Sequence, residues 1–169
     1  MASEERFIQL PKARGEWAEL RFMARAAEHG LTVSKPWGES KHYDFVVEYD
    51  RCLLRVQVKS TLYRIKAGGY RCNVVTARGP YAQNEIDYIA AYVIELDLWY
   101  IIPADAIAGQ RHVSLYPRSE HSKHARFKEA WHLLKQKPCT QNIRDCDLCF
   151  RHGCQNRLPE QRTLGKPAL

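Results

Sequence analysis

The chain has 169 residues, of which 45% are hydrophobic, and this length and composition suit one domain with its own core. The formal net charge of +7 favours a polyanionic partner. No apolar run approaches the roughly 18 residues that a membrane span needs, and the first residues lack the features of a signal peptide. We therefore expect a cytoplasmic protein with reduced thiols, whose six cysteines serve metal binding or burial rather than disulfides.

The N-terminal half predicts one helix followed by strands. Residues 15–30 have helical periodicity, with Gly30 as the stop signal. The expected apolar stripe of this helix consists of Trp17, Leu20, Met23, Ala24 and Ala27. Strands are predicted at residues 31–35, 43–48, 52–61 and 70–76. In the strand 52–61, apolar and polar residues alternate, so Gln57 and Lys59 lie on the same face.

The C-terminal half continues with a loop at 77–87, a strand pair and a last helix. The predicted elements are strands at 88–95, 98–102 and 112–116, a short helix at 103–108 and a helix at 122–136. The apolar side of the last helix consists of Phe127, Ala130, Trp131 and Leu134. Aliphatic residues become sparse after Pro138. We therefore predict a domain at residues 1–137 and a separate Cys-rich tail at 138–169.

Four side chains on successive predicted elements have the chemistry of a metal-dependent hydrolytic site. Glu19 lies on the first helix, Asp44 on a strand, and Gln57 and Lys59 on the next strand. Carboxylate and amide oxygens, together with the main-chain carbonyl of Val58, suit Mg²⁺, which prefers oxygen ligands. A lysine on the same face can orient water or stabilise transition-state charge. Each residue alone is compatible with an ordinary solvated surface, but successive strands joined by a tight turn bring them together.

The ordered set Gly15-x-x-x-Glu19, Tyr43-Asp44 and Gln57-Val58-Lys59 resembles the PD-(D/E)XK nuclease superfamily. Within it, the chain is most similar to group-I-intron-associated PD-(D/E)XK endonucleases and more distantly to archaeal-type Holliday junction resolvases. The similarity spans residues 12–136 and includes the segments 44–47, 57–61, 88–89 and 99–103. It implies an α/β (α+β) fold with a restriction-endonuclease-like αβββαβ core, whose mixed central sheet is flanked by helices.

The resemblance also implies Mg²⁺-dependent cleavage of DNA by hydrolysis of phosphodiester bonds. Asp44 then corresponds to the metal-binding acid, Lys59 to the catalytic lysine and Glu19 to the acid on the helix. Gln57 takes the place of the second acid, and Tyr43 stands where the motif has proline. Because glutamine removes one negative charge, we expect weaker Mg²⁺ binding than in a relative with glutamate there. A homo-oligomer, either a dimer or a tetramer, is compatible with a homing-type nuclease.

A basic segment follows the catalytic strand. Between Arg51 and Asn84 there are seven basic residues and no Asp or Glu. Arg64, Lys66 and Arg71 flank the Gly68-Gly69 turn and are predicted to contact DNA phosphates. A solvated hairpin is the alternative. His42 lies close to Asp44 in sequence, and we expect it to contact solvent or phosphate rather than act as a base.

Two other functions remain open at this point. A structure-specific Holliday-junction-type resolvase would use the same core and prefer four-way junctions. A non-catalytic DNA-binding module with a metal-stapled tail would bind DNA in a salt-sensitive manner without Mg²⁺-dependent cleavage.

The tail contains a second metal-binding pattern. Its four thiols lie within 16 residues, at Cys139, Cys146, Cys149 and Cys154. Such a set can hold either a tetrahedral Zn²⁺ or an Fe–S cluster, and unliganded thiols are the third alternative. Cys52 and Cys72 lie in predicted strands, where we expect them to be small buried residues.

Overall fold

A computed structural model of the protein describes residues 10–38, 41–77, 79–82 and 84–135. The four tail cysteines lie outside these ranges. The predicted division at residue 137 and the metal site in the tail therefore stay predictions. No helix in the described part of the chain is long and apolar enough to cross a membrane.

The first helix, α1, spans Pro11–Glu28. It begins earlier than predicted, with proline in its first turn, where the missing N–H costs no hydrogen bond. At its end, Gly30 has φ +70°. The N–H groups of Gly30 and Leu31 donate to the carbonyls of Ala27 and Ala26, which is the glycine-stopped end that the sequence predicts.

The predicted apolar stripe of α1 is largely wrong, since Trp17 alone of its five residues packs against the core. The buried residues are Ala18, Phe22 and Ala26, whereas Leu20 is 65% exposed. The two alanines are small enough to let the helix backbone approach the sheet, and Phe22 fills the space between them. The size of the side chains that contact the sheet therefore determines which face of α1 is buried. The spacing of apolar residues alone does not predict this face.

The described residues form ten strands, which are β1 (Thr32–Ser34), β2 (Phe45–Tyr49), β3 (Cys52–Thr61), β4 (Arg64–Ile65), β5 (Gly69–Asn73), β6 (Val75–Thr76), β7 (Gly79–Pro80), β8 (Tyr88–Val93), β9 (Leu98–Pro103) and β10 (His112–Leu115). Five of them form a central sheet in the order β1-β2-β3-β8-β9. Within it, β3 and β8 are parallel and the other neighbours are antiparallel. This confirms the predicted α+β class with a mixed central sheet.

The connection between the parallel strands β3 and β8 contains short strands rather than a helix. Strands β10, β5 and β4 form a separate antiparallel sheet, and β6 pairs with β7. The αβββαβ pattern implies a helix here, whereas the local sequence of residues 70–87 predicts a strand and a loop. Within the described residues this connection contains no α-helix. The local sequence pattern therefore predicted it better than the αβββαβ pattern did.

The predicted helix at 122–136 is also wrong. The chain instead forms two 3₁₀ turns, Ala125–Phe127 and Trp131–Lys135. Between them, Glu129 has φ +49°, and its N–H donates to the carbonyl of Trp99 at 2.8 Å. Pairing with β9 therefore interrupts the helix. The residues of its predicted apolar side are nevertheless all buried, namely Phe127, Ala130, Trp131 and Leu134.

The central sheet separates two apolar clusters. One packs α1 against the sheet and centres on aromatic residues such as Phe22, Phe45, Trp99 and Trp131. The other lies between the central sheet and the strands β5 and β10, and includes the predicted core thiol of Cys72. Cys52 is only partly buried, because it begins β3 beside a turn. The first cluster fixes α1 above β3, which positions the site described next.

Candidate active site

The register of β2 against β3 creates an opening in the sheet. Phe45, the first residue of β2, pairs with Val56, whereas β3 continues to Thr61. Beyond Val56, β3 therefore has a free edge on the β2 side, within the described residues. Asp44 precedes β2 directly, and its N–H donates to the carbonyl of Val56 at 3.0 Å. This places its carboxylate at the start of the free edge.

An open pocket of about 250 Å³ lies at this edge, under the N-terminal half of α1. Its wall contains Glu19, Asp44, Gln57 and Lys59, together with the main chain of Val58. The predicted Mg²⁺-binding and catalytic residues thus line one cavity. Their catalytic roles stay predictions, because the geometry reports proximity rather than chemistry.

The Asp44 carboxylate is hydrogen-bonded and yet poorly stabilised as an anion. Its Oδ2 accepts from Val58 N at 2.7 Å and from Gln57 Nε2 at 2.5 Å. Burial nevertheless raises the pKa of Asp44 to about 6, and the charge of Glu19 adds to the increase. The Val58 and Gln57 hydrogen bonds and the charge of Lys59 oppose it. A second cation at this position would stabilise the ionised form.

Gln57 is buried and faces Asp44. The side chain is 9% exposed, and Nε2 also donates to the carbonyl of Val58 at 3.2 Å. The amide group has an oxygen as well as a nitrogen, so rotation about its last bond presents a ligand atom in place of a donor. The N–H and the carbonyl of Val58 both face this cluster, which makes the carbonyl an additional oxygen donor.

Glu19 reaches the pocket from α1 and is paired with a residue that the sequence did not single out. Lys35 Nζ donates to Glu19 Oε2 at 2.7 Å, and the hydrogen bond from this partner raises the pKa of Lys35. The Lys35 side chain is 60% exposed, so this ion pair is easily exchanged for another cation. No local pattern signals this contact, because it joins α1 to the residue after β1.

Lys59 lies between the pocket and an aromatic ring. Its Nζ is 6.0 Å from the centre of the Tyr81 ring, within the range of a cation–π interaction. Burial raises the pKa of Tyr81, as does the charge of Asp44. Tyr81 follows β7 in the predicted loop at 77–87, where the sequence offers no signal for a site residue.

The donor set fits a hard divalent cation. It consists of the Asp44 and Glu19 carboxylates, the Gln57 amide oxygen and the Val58 carbonyl, all oxygen ligands of the kind that Mg²⁺ takes. In the described residues, no group of three or more His, Cys, Asp or Glu side chains has metal-binding geometry. The pocket has two acids, Glu19 and Asp44, and its other oxygen atoms come from the Gln57 amide and the main chain.

The predicted DNA-facing residues lie around a second, wider depression. It measures about 460 Å³ and is lined by Tyr63, Arg64, Ile65, Lys66, Arg71, Ser114 and Tyr116. Arg64 is paired with Glu95, at 2.5 Å, and the Arg71 guanidinium lies 5.7 Å from the Tyr63 ring centre. Glu95 lies outside the segment 51–84, which contains no Asp or Glu, so that segment did not reveal this pairing.

His42 does not line the catalytic pocket. Its Nδ1 lies 3.0 Å from Glu85 Oε1. The expectation that His42 contacts solvent or phosphate rather than acting as a base stays a prediction.

Comparisons with known proteins show which family and which solved fold the chain resembles. Residues 10–134 match a family model described as PD-(D/E)XK endonuclease. The solved structure of a bacterial homing endonuclease, I-Ssp6803I, is similar, with 34% sequence identity and a TM-score of 0.64. The match covers 75% of this chain and 92% of that chain. Curated proteins give no match.

Proposed function

The chain belongs to the PD-(D/E)XK endonuclease family and is a nuclease; on that premise, we propose that it is a Mg²⁺-dependent endonuclease that hydrolyses phosphodiester bonds of DNA. The observation that carries the proposal is the shared pocket of Glu19, Asp44, Gln57 and Lys59 beside the free edge of β3. The similarity to a homing endonuclease favours duplex DNA as the substrate over a four-way junction.

In this proposal, Asp44, Glu19, the Gln57 amide oxygen and the Val58 carbonyl hold Mg²⁺. The cation supplies charge neutralisation at the phosphate and lowers the pKa of water. The raised pKa of Asp44 supports the assignment, because a bound cation offsets the cost of burying its charge. Gln57 leaves the site with one negative charge fewer than two acids would, so Mg²⁺ binding is weaker than with glutamate at this position.

Lys59 acts on the reacting groups. Its ammonium lines the pocket and lowers the pKa of the neighbouring Asp44 carboxyl. An ammonium there can orient the attacking water and stabilise negative charge that develops on the phosphate oxygens. Cation–π contact with Tyr81 limits the positions that Nζ samples.

The DNA contacts extend to the second depression. Lys66 and Arg71 line it together with Arg64, and we assign their positive charges to phosphates away from the reacting bond. Arg64 exchanges Glu95 for a phosphate in this assignment. A dimer or tetramer would let the enzyme read a longer DNA site.

The four cysteines of the tail are the basis of a separate proposal. Cys139, Cys146, Cys149 and Cys154 would bind one Zn²⁺ or one Fe–S cluster, which would order a segment that is poor in aliphatic residues. Metal analysis of the purified protein separates the two, since an Fe–S cluster brings iron, sulfide and brown colour. Absence of both metals from protein purified without oxygen or chelators would contradict the proposal.

The nuclease proposal is tested by cleavage of supercoiled plasmid and of a four-way junction, with Mg²⁺ and with chelator. We expect the wild type to cut plasmid with Mg²⁺ and not with chelator. Asp44→Ala should cut neither the plasmid nor the junction. Preference for the junction would instead favour a resolvase. Cleavage by Asp44→Ala at the wild-type rate would contradict the assigned site, and DNA binding without cleavage would favour a binding module.

A further inference from the structure

Arg14 is an uncommitted cation in the catalytic pocket. It is partly buried on α1 and lines the same cavity as Glu19, Asp44 and Lys59. Within the described ranges, its guanidinium makes no hydrogen bond or ion pair. Four other arginines of the described fold are paired, namely Arg21 and Arg25 with Asp97, Arg55 with Asp87 and Arg64 with Glu95. Arginines without an ion pair in the described ranges, such as Arg111 and Arg118, do not line this pocket.

The acids of the pocket do not neutralise Arg14. The pocket acid on the helix, Glu19, accepts a hydrogen bond from Lys35 at Oε2. Asp44 Oδ2 accepts hydrogen bonds from Gln57 Nε2 and Val58 N. A partly buried guanidinium with no carboxylate partner is suited to an anion that enters the pocket, and its planar fork matches two oxygens of a phosphate.

Gly15 supplies a second, independent observation. It lies within α1, lines the same pocket, and a Cβ added to it would meet nothing within 4 Å. Glycine in a helix interior disfavours folding by a factor of about five relative to alanine. Nothing in the described fold requires glycine there, so the space beside it is left for an external group. Close approach of a ligand to the backbone is a common reason for such a glycine.

We propose that the Arg14–Gly15 segment of α1 is a phosphate-binding wall of the active site: Arg14 binds two oxygens of a phosphate in the cleaved strand, and Gly15 lets the sugar–phosphate backbone pass against the helix. This inference rests on the proposed nuclease function and adds two substrate-contacting residues to it. Arg14 lies outside the residues that the motif identifies, whereas Gly15 is the motif glycine, to which the motif assigns no substrate contact.

The test compares four variants of the full chain by steady-state cleavage, DNA affinity and urea unfolding. Arg14→Ala should lower kcat/KM by about 100-fold with an unchanged unfolding midpoint, because Arg14 has no partner to lose in the described fold. Arg14→Lys should recover only part of the loss, because an ammonium cannot form the bidentate contact. Lys12→Ala is the matched control, since Lys12 is an exposed cation of α1 that does not line the pocket.

Gly15→Ala separates a substrate role from a structural one. We expect it to raise the unfolding midpoint, because alanine favours the helix, and to lower cleavage by about tenfold through contact with the substrate. The plot of log DNA affinity against log salt concentration should become shallower by about one unit of slope for Arg14→Ala, since one phosphate contact is lost. For Gly15→Ala the slope should stay unchanged.

The outcomes distinguish the two levels of the account. If the wild type cleaves DNA and both Arg14→Ala and Gly15→Ala cleave at its rate, the phosphate wall is wrong and the nuclease proposal stands. The wall is also wrong if Lys12→Ala loses as much activity as Arg14→Ala, or if either pocket variant loses activity only through a lower unfolding midpoint. A wild type that cuts no DNA overturns the nuclease proposal itself.

Discussion

The two halves of α1 face two aspartates under opposite electrostatic conditions. Near its C-terminal half, Asp97 accepts hydrogen bonds from Arg21 at 2.6 Å and Arg25 at 3.1 Å, and from Tyr92 Oη at 2.6 Å. Burial raises the pKa of Asp97, but the hydrogen bonds from Tyr92 and Arg21 and the arginine charges lower it below its ordinary value. Near the N-terminal half, Asp44 meets Glu19 instead, and its pKa is raised to about 6.

The contrast separates a structural cluster from a site that is prepared for a ligand. Around Asp97, side chains of the protein supply the compensating charges. Around Asp44, the sheet supplies hydrogen bonds and one lysine, which do not offset burial and the charge of Glu19. In the proposed site, an external cation would supply the missing charge at Asp44, whereas Asp97 already has its compensating charges from side chains of the protein. Four substitutions sharpen or break this comparison, from the largest expected effect to the smallest.

Lys59→Met should produce the largest effect. Removal of the ammonium is expected to lower kcat by about 10²- to 10³-fold, while the protein stays folded, because methionine keeps the length of the side chain. Single-turnover cleavage with saturating DNA measures this step directly. Lys135→Met is the matched control, since Lys135 also lies over an aromatic ring, that of Tyr49 at 5.5 Å. Equal losses in both variants would contradict a specific role for Lys59.

Asp44→Asn should stabilise the metal-free fold. The pKa of Asp44 in the folded protein is about 6, above the ordinary value of 3.8. The contribution of Asp44 to wild-type stability is therefore fully present below pH 3.8 and is lost as the pH rises through about 6. Asparagine carries no charge and can still accept from Val58 N. At pH 8 we expect a free energy of unfolding about 2 kcal/mol higher than wild type, and no difference at pH 3.5.

Urea unfolding at the two pH values, with chelator present, measures this difference. A loss of stability for Asp44→Asn at pH 8 would contradict the electrostatic description of the pocket. At subsaturating Mg²⁺, wild-type cleavage should correspondingly decline as pH falls below about 6, because the protonated Asp44 carboxyl of the metal-free enzyme binds the cation poorly.

Gln57→Glu should bind Mg²⁺ about tenfold more tightly, because a second carboxylate beside Asp44 adds charge to the oxygen donors. Without metal, the same change should destabilise the protein, since two buried carboxylates would then be in contact. Calorimetric titration with Mg²⁺ measures the affinity. An affinity no greater than that of the wild type would show that charge does not limit metal binding here.

Asp97→Asn should have the smallest effect and the opposite sign to Asp44→Asn. Asn tolerates the φ of +47° at this position. The ion pairs are partly exposed, with 47% of the Asp97 side chain accessible, so their loss should lower the free energy of unfolding by about 1 kcal/mol after screening. Cleavage per folded molecule should be unchanged. A rise in stability at neutral pH would break the comparison between the two aspartates.

The sequence predicts the central part of the site because that part is local. Gln57 and Lys59 share a strand with period-two alternation, and a tight turn joins this strand to the one that Asp44 precedes. The residues that complete the pocket were not predictable in the same way. Arg14 lines the pocket from α1, Lys35 pairs with Glu19, and Tyr81 lies beside Lys59. Their positions depend on how α1 and the β7 segment pack against β3.

The wrong predictions of secondary structure have the same origin. Residues 122–136 contain helical periodicity, but Glu129 pairs with Trp99 on β9, and this tertiary contact interrupts the helix. The buried face of α1 was misassigned because the sheet accepts small alanines where the pattern offers Leu20. Apolar periodicity identifies which segments are buried. The surface of the protein against which a segment packs determines its backbone conformation and the face that it buries.

The pKa of the Asp44 carboxyl, followed by NMR titration with and without Mg²⁺, tests the central claim most directly. The account predicts a value near 6 without metal, a marked decrease when Mg²⁺ is bound, and a pKa of Asp97 that stays below its ordinary value under both conditions. An Asp44 pKa close to 3.8 that does not respond to Mg²⁺ would contradict the claim that this pocket is built to receive a divalent cation.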